Sequence, residues 1–308
     1  MEEKKLNSNK SISIIVPFYN SEKFLPTFLK SFKLLNKEDR DIELILVDNG
    51  STDNSKDILN MFIKNNPKLN IKYFYYNAKA DSYASRNFAV RHANNKVLAF
   101  TDSDCILEKD WLDNICINVR ESVVVAGNIE IQIVDKYNIW EIFDSIAHLN
   151  NEKMSKSKRV ATANLAVLKD DFYKVGYFKE QFSGGDHEWS MRADKIGLNI
   201  KYVDNVKVLH PSRKSFSEIL KKDKRVAYGE GVNYRLSRKS FVVLVLRYFI
   251  KIFKISTNIR YSKELKKRDI NLKNILEFNR KFMKIRMCQF KSAICGYKGV
   301  DSRKLNIS

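Results

Sequence analysis

Cysteine, proline and glycine are scarce in this chain of 308 residues, with 4, 4 and 10 copies. The cysteines (Cys105, Cys116, Cys288, Cys295) form no CxxC pair and have no histidine at zinc-finger spacing. That argues against a disulfide framework and a structural zinc site, and fits a reducing compartment. So few prolines and glycines exclude low-complexity linkers, and with no internal repeat one connected domain is expected. No apolar run is long enough to span a bilayer, and the opening MEEKKLNSNK lacks the apolar stretch of a secretory signal. A soluble or membrane-peripheral protein is expected. Acidic residues are scarce in one region only. Residues 211–308 carry 26 Lys/Arg against 7 Asp/Glu, while residues 1–210 carry 30 against 29, so the net charge of +20 belongs to the C-terminal third.

Apolar residues, in contrast, are plentiful: 44% hydrophobic and 12% aromatic content is enough to bury one large core. The β-branched run Ser11–Val16 ends at Pro17 and reads as a buried strand followed by the loop Phe18–Ser21. Phe24, Leu25, Phe28, Leu29, Phe32 and Leu35 then recur at helical spacing. The pattern repeats with a strand Glu43–Val47, a polar loop 48–55 and a helix through Ile58, Leu59, Phe62 and Ile63. It repeats again with a strand Ile71–Tyr75 and a helix over about Ser82–Ala93, and a fourth strand spans Val97–Thr101. This alternation predicts an α/β fold, a Rossmann-like, mostly parallel sheet flanked by helices, with ligands at the carboxyl ends of the strands. Beyond residue 110 the pattern loosens. Trp111–Val119 and Tyr137–Leu149 read as helices, Val123–Val134 as one or two strands around Gly127, and Asn150–Arg159 as a mobile loop.

The fourth strand runs into Asp102 and Asp104, spaced i, i+2, which in a strand places both side chains on one side. Two carboxylates held that close repel unless a cation lies between them and a ligand's phosphates; the alternative is an Asx-type turn that closes the strand. Arg86 is the one basic residue between Ser82 and Val90, and can reach either a diphosphate or Asp102. Farther on, Ser183-Gly184-Gly185-Asp186-His187-Glu188-Trp189 leads into a helix carrying Arg192. Its glycines let the backbone approach a substrate, and Asp186 suits either a helix cap or a base.

The ordered motifs IVPFYN, LVDNGSTDNS, SYASRNFA, FTDSDC, TANLAV and GGDHEW resemble the inverting family 2 glycosyltransferases of GT-A fold, over about Ser11–His210. The resemblance implies transfer of a sugar from a nucleoside-diphosphate sugar, UDP-linked by preference, to a saccharide or lipid-linked acceptor in cell-surface polysaccharide synthesis. It implies that Pro17, Tyr19, Asn20 and Asp48 line the base and ribose pocket, that Asp48 contacts the base, and that Arg86, Asp102, Ser103 and Asn164 also bind the donor. Asp104, together with His210, would hold Mn2+ or Mg2+, and Asp186 would be the general base. Family members often carry Glu where Gly185 stands, so the chain departs from the pattern there. Asp53 reads as the cap of the helix that follows it.

Three regions are expected: a polar tail over 1–10, a GT-A domain over 11–235 and a basic helical extension over 236–308. In Lys239–Lys254 the cations Arg247, Lys251 and Lys254 fall at i, i+4 and i+7 on an apolar body, as in an interfacial helix. Phe278, Phe282, Ile285 and Phe290 among Arg280, Lys281, Lys284 and Lys291 repeat that composition. A peripheral position on the anionic inner face of the membrane is expected, with core packing as the competing reading. No signature of nucleic-acid binding accompanies the charge, and none is expected. The alternative function is a catalytically inactive GT-A-fold protein that binds membrane or nucleic acid through its basic third.

Overall fold

The structure, a computed structural model, describes residues 11–37, 40–76 and 81–302; the polar tail 1–10 lies outside them. The strands are β1 (Ile12–Phe18), β2 (Ile42–Asp48), β3 (Ile71–Tyr75), β4 (Val97–Thr101), β5 (Ile106–Leu107), β6 (Val123–Gln132), β7 (Asn164–Leu168) and β8 (Asn199–Pro211). They form one sheet in the order β3-β2-β1-β4-β7-β6-β8-β5. The first half is parallel, as the βα alternation predicts, while β4–β7, β6–β7 and β5–β8 are antiparallel. The strand order reverses at β1, so the crevice between the carboxyl ends of β1 and β4 is a switch point of the kind that binds ligands.

Pro17 does not end β1, which continues to Phe18. Ile12 donates to Asp41 beside β2, whereas Ser11 accepts from Val97 beside β4, so alternate residues face alternate neighbours. Pro17 therefore faces the β4 side, beyond the last register pair Ile15–Phe100, where its missing N–H removes no ladder bond.

By packing, the chain divides into two compact units. The first holds the described residues up to Glu130, Leu149–Glu180 and Gly185–Pro211. Its helices include α1 (Leu25–Leu34), α2 (Ser55–Asn65), α3 (Ser82–His92), α4 (Trp111–Asn118), α6 (Asn151–Ser155), α7 (Lys169–Val175) and α8 (Gly185–Lys195). One core cluster gathers Phe100, Phe172, Phe178 and Trp189, with Phe172 stacked on Trp189 at 5.3 Å. The expected mobile loop 150–159 instead contains α6. Asn150 caps it by accepting from Lys153 N–H, and the buried Asn151 amide donates to the Gly127 and Asn164 carbonyls while accepting from Ala161 N–H. Surface composition hid a segment fastened by two asparagines.

The second unit comprises Ile131–His148, Gln181–Gly184 and the described residues from Ser212 onward. It contains α5 (Ile139–Ala147), α9 (Phe216–Leu236), α10 (Phe241–Phe253), α11 (Ile255–Lys266) and α12 (Leu272–Lys298). Phe278, Phe282 and Ile285 of α12 are buried against Trp140 and Phe143, so this basic-aromatic stretch is a core helix. A Cβ on Gly231 would fall 2.0 Å from the Ala293 carbonyl oxygen, and one on Gly296 2.1 Å from that of Tyr228, so α9 and α12 touch backbone to backbone. The same unit holds an ionic cluster. His148 lies between Asp144 (2.6 Å) and Asp223 (3.3 Å), Arg213 forks onto Asp144, and Lys222 approaches Asp223 at 3.7 Å.

Candidate active site

Every polar group expected at the site belongs to the first unit, and most are delivered by the ends of elements or the loops that follow them. Asp48 closes β2. It is buried; its carboxylate accepts from Ser51 N–H at 2.8 Å and from the Tyr73 hydroxyl at 3.3 Å. Burial and that carboxylate push the Tyr73 phenol up to about 12, so it remains a donor. Asp48 thus holds its own turn and is oriented at the mouth of the strand. Asn20, after β1, adopts φ +47°, a conformation that asparagine tolerates; its side-chain oxygen accepts from Thr52 N–H while its own N–H donates to Ser51 Oγ. The β1 and β2 loops are therefore tied together, with Tyr19 left exposed beside them. Asp53 accepts from Ser55 N–H at the start of α2, as a cap would, and also from Glu22 N–H.

The DSD segment is a turn and not a strand end: β4 stops at Thr101, and Cys105 N–H donates back to the Asp102 carbonyl at 3.1 Å. The two aspartates nevertheless remain accessible, with side chains 33% and 31% exposed, and they take different partners. Asp102 pairs with Arg86, projected from α3; Asp104 approaches His210 Nε2, near the end of β8, at 3.4 Å. Ser103 between them is buried and shares a hydrogen bond with Ser21 at 2.9 Å. Arg86 is buried, and its Nε has no hydrogen-bond partner in the protein. A buried guanidinium with spare donors at the crevice suits an anion.

Asp186 lies in the first turn of α8, not before it. Its Oδ2 accepts from Thr162 N–H at 3.3 Å, and its Oδ1 from His187 N–H and the Tyr83 hydroxyl, both at 2.9 Å. Thr162 precedes β7, whose Asn164 pairs with Thr101 of β4, and Thr101 Oγ1 donates to Ala163 O. Asp186 thus stands at the same sheet edge as Asp102 and Asp104. Gly185 has no room for a side chain, since a Cβ would come within 2.9 Å of the Lys179 carbonyl and of the Tyr83 ring. This accounts physically for the missing acidic residue. Arg192 is occupied in holding the loop after α7, donating to Val175 O, Tyr177 O and Glu188.

Asn164 is placed differently from the rest. It is 1% exposed; its amide donates to the Asn128 and Val206 carbonyls and accepts from Trp111 Nε1, so it ties β7 to its neighbours and is occupied within the sheet. Two residues that sequence reasoning did not single out belong to the site, Tyr83 and Thr162. Tyr83, Arg86 and Asn87 are all buried at i, i+3 and i+4 of α3, and that spacing was the available signal.

The residues present fit a divalent cation. His210 Nδ1 lies 2.8 Å from the Pro211 carbonyl, which can only accept, so Nδ1 carries the proton and Nε2 is left facing Asp104. One carboxylate and one imidazole suit Mn2+ or Mg2+. No cluster of three or more such side chains occurs among the described residues, so a bound cation would draw other ligands from water or substrate.

Residues 13–176 match the model of the glycosyl transferase family 2. Glycosyltransferase AglE of Haloferax volcanii is 31% identical over 74% of this chain and 76% of its own length. The minor teichoic acid biosynthesis protein GgaA of Bacillus subtilis is 29% identical over 76% of this chain and 49% of its own. Among solved structures, the mannosyltransferase PcManGT of Pyrobaculum calidifontis, in complex with GDP-Man and Mn2+, superposes with a TM-score of 0.64 over 97% of this chain and 94% of its own, at 13% identity. The ordered loops at one edge of a GT-A sheet and these matches agree, and the chain is a glycosyltransferase belonging to family 2.

Proposed function

We propose that the protein transfers a sugar, with inversion, from a nucleoside-diphosphate sugar to a saccharide or lipid-linked acceptor, with Asp186 as general base. The observation that supports this best is the gathering of Asp102, Asp104 and Asp186 at one sheet edge, each with a different set of partners. Asp186 takes the acceptor hydroxyl proton as that oxygen bonds to the anomeric carbon, from the face opposite the diphosphate. The bond from that carbon to the diphosphate breaks, and Arg86 lies at the crevice where the leaving charge develops. Asp104 and His210 would hold Mn2+ or Mg2+, which when bound supplies charge neutralisation at the leaving diphosphate. Asp48, Tyr19, Asn20 and Pro17 would frame the base and ribose, and Ser103 the adjoining wall.

The test is calorimetry of a panel of UDP- and GDP-sugars with and without Mn2+. Metal-dependent binding of one donor, followed by its turnover with an acceptor, is expected; equal binding in the absence of metal would overturn the metal assignment. UDP is the base expected from the resemblance, and the GDP-Man complex of PcManGT makes GDP the competing arm.

A membrane-peripheral location is part of the proposal. On α10, Leu244 and Tyr248 are buried, whereas Val242, Val243, Leu246, Phe249, Ile250 and Phe253 are all more than half exposed. Arg247 and Lys251 pair with Glu230 at 3.1 and 3.8 Å and rim this apolar face together with the exposed Lys254. None of the helices is long and apolar enough to cross a membrane, among the described residues. An apolar face with a basic rim suits the headgroup region of an anionic bilayer. Sedimentation with phosphatidylserine vesicles, absent with neutral ones, is expected; indifference to lipid charge would sink the idea.

A further inference from the structure

Asp186 is 9% exposed and is approached from three elements. From α3 come the Tyr83 hydroxyl and, behind it, Arg86, whose guanidinium lies 5.7 Å from the Tyr83 ring and pairs with Asp102. The segment before β7 contributes Thr162 N–H. From α8 itself come His187 N–H on the carboxylate and the Ser190 hydroxyl on the Asp186 backbone carbonyl. Of the donors to the carboxylate itself, Tyr83 is the one that a side-chain change can remove while leaving the backbone in place. It is itself 8% exposed, with burial and then the Asp186 charge pushing its phenol well above the ordinary value, so it remains protonated and donates. Its ring occupies the space beside Gly185 that a side chain there would need.

We propose that Tyr83 is a positioning residue for Asp186: its ring fills the place left by Gly185, and its hydroxyl, donating to Oδ1, fixes the carboxylate in one orientation. The inference rests on Asp186 being the base. A helix N-terminus alone leaves a carboxylate free to rotate among rotamers; a side-chain donor from another helix selects one. Because Tyr83 and Arg86 share one face of α3, the same helix turn that presents a cation to the donor diphosphate also orients the group that deprotonates the acceptor.

The sign of the effect follows from what the hydroxyl touches. Removing a donor from a carboxylate disfavours the ionised form and raises its pKa, and the base works only when ionised. In Tyr83→Phe the ring, and with it the packing on Gly185, is retained. The acid limb of kcat/KM should move up by about one pH unit, so that the loss of activity below the limb exceeds the loss above it by about tenfold. UDP affinity in Mn2+ should not change. Replacing Tyr83 by 3-fluorotyrosine, of nearly the same shape but a stronger donor, should move the limb the other way. A uniform rate loss at every pH would reduce Tyr83 to a structural role, and unmoved limbs in both variants would overturn the inference. Asp186→Asn separates the two readings. If it turns over normally, the base assignment fails; if it is inactive while the Tyr83 variants match wild type, only the role of Tyr83 fails.

Discussion

Carboxylates gather in both units, and the two gatherings are built in opposite ways. In the second unit, Asp144 and Asp223 are buried and crowded by basic side chains: Arg213 forks onto Asp144, His148 bridges both, and Lys222 lies beside Asp223. In the first unit, Asp102 and Asp104 remain about one third exposed, each beside one basic side chain, and Asp186 is oriented by uncharged N–H and O–H donors. Acids buried among several basic side chains hold a fold together, whereas acids partly exposed, or oriented by neutral donors alone, can bind a cation or a proton. What separates structure from chemistry here is the exposure of each carboxylate and the charge of its partners.

The sharpest way to break this comparison is to neutralise one acid from each gathering. Asp186→Asn should lower kcat at saturating donor by about 10²–10⁴-fold, with the urea midpoint unchanged; a normal kcat would move Asp186 into the structural class. Asp144→Asn should do the reverse, costing about 3–5 kcal/mol in urea unfolding while leaving UDP affinity alone. The pH dependence of the wild type carries the same information. Burial acts to raise the Asp144 and Asp223 carboxyls, but His148, Arg213 and Lys222 outweigh it and hold both below the usual carboxylate range. Stability from these lowered groups is fully present above their unfolded values, near pH 4, and is lost as pH falls through the folded values. The urea midpoint should drop on acidification from pH 4, and drop less in Asp144→Asn.

Asp104→Ala is expected to weaken Mn2+-dependent UDP binding by at least about tenfold in calorimetry, with little change in stability, since its side chain is partly exposed. Equal binding would remove Asp104 from the open set. The smallest effect is expected at the rim of α10, where Lys254→Ala should weaken sedimentation with anionic vesicles by about fivefold and leave turnover of a water-soluble acceptor untouched.

Much of the parallel half of the sheet was legible in the sequence. Ile71–Tyr75 and Val97–Thr101 match β3 and β4 residue for residue, because short apolar runs bounded by polar turns leave few other ways to bury themselves. The antiparallel half was less so. Val123–Val134 reads as strand and contains β6, but in the 13-residue β8 apolar and polar residues are interspersed, even over Val206–Leu209, and no local rule assigns a partner strand. At the site, the residue types and their order were readable, and Asp102 has its partner Arg86 only 16 positions away, but the side-chain partners of Asp186 and Asp104 come from distant parts of the chain, 103 positions away for Tyr83 and Asp186. Tyr83 meets Asp186, and Asp104 meets His210, only because β7 is folded back beside β4 and β8 beside β5. Asn164 illustrates the converse. Its position in a motif suggested a ligand contact, yet three hydrogen bonds inside the sheet occupy its amide. The cations of α10 and α12 have similar spacing, and only tertiary packing distinguishes the exposed helix from the buried one.

The crossing of α9 and α12 has a mechanical consequence. Sliding one helix past the other by a turn, about 5.4 Å, would bring Ala227 or Arg235 to the place of Gly231. Neither can shed its Cβ, and a carbonyl oxygen stands 2.0 Å from where that atom would be. The crossing is therefore keyed: longitudinal shear is blocked while rotation about the contact is not. A shift of one of these two helices, of 21 and 27 residues, along its axis must therefore carry the other with it.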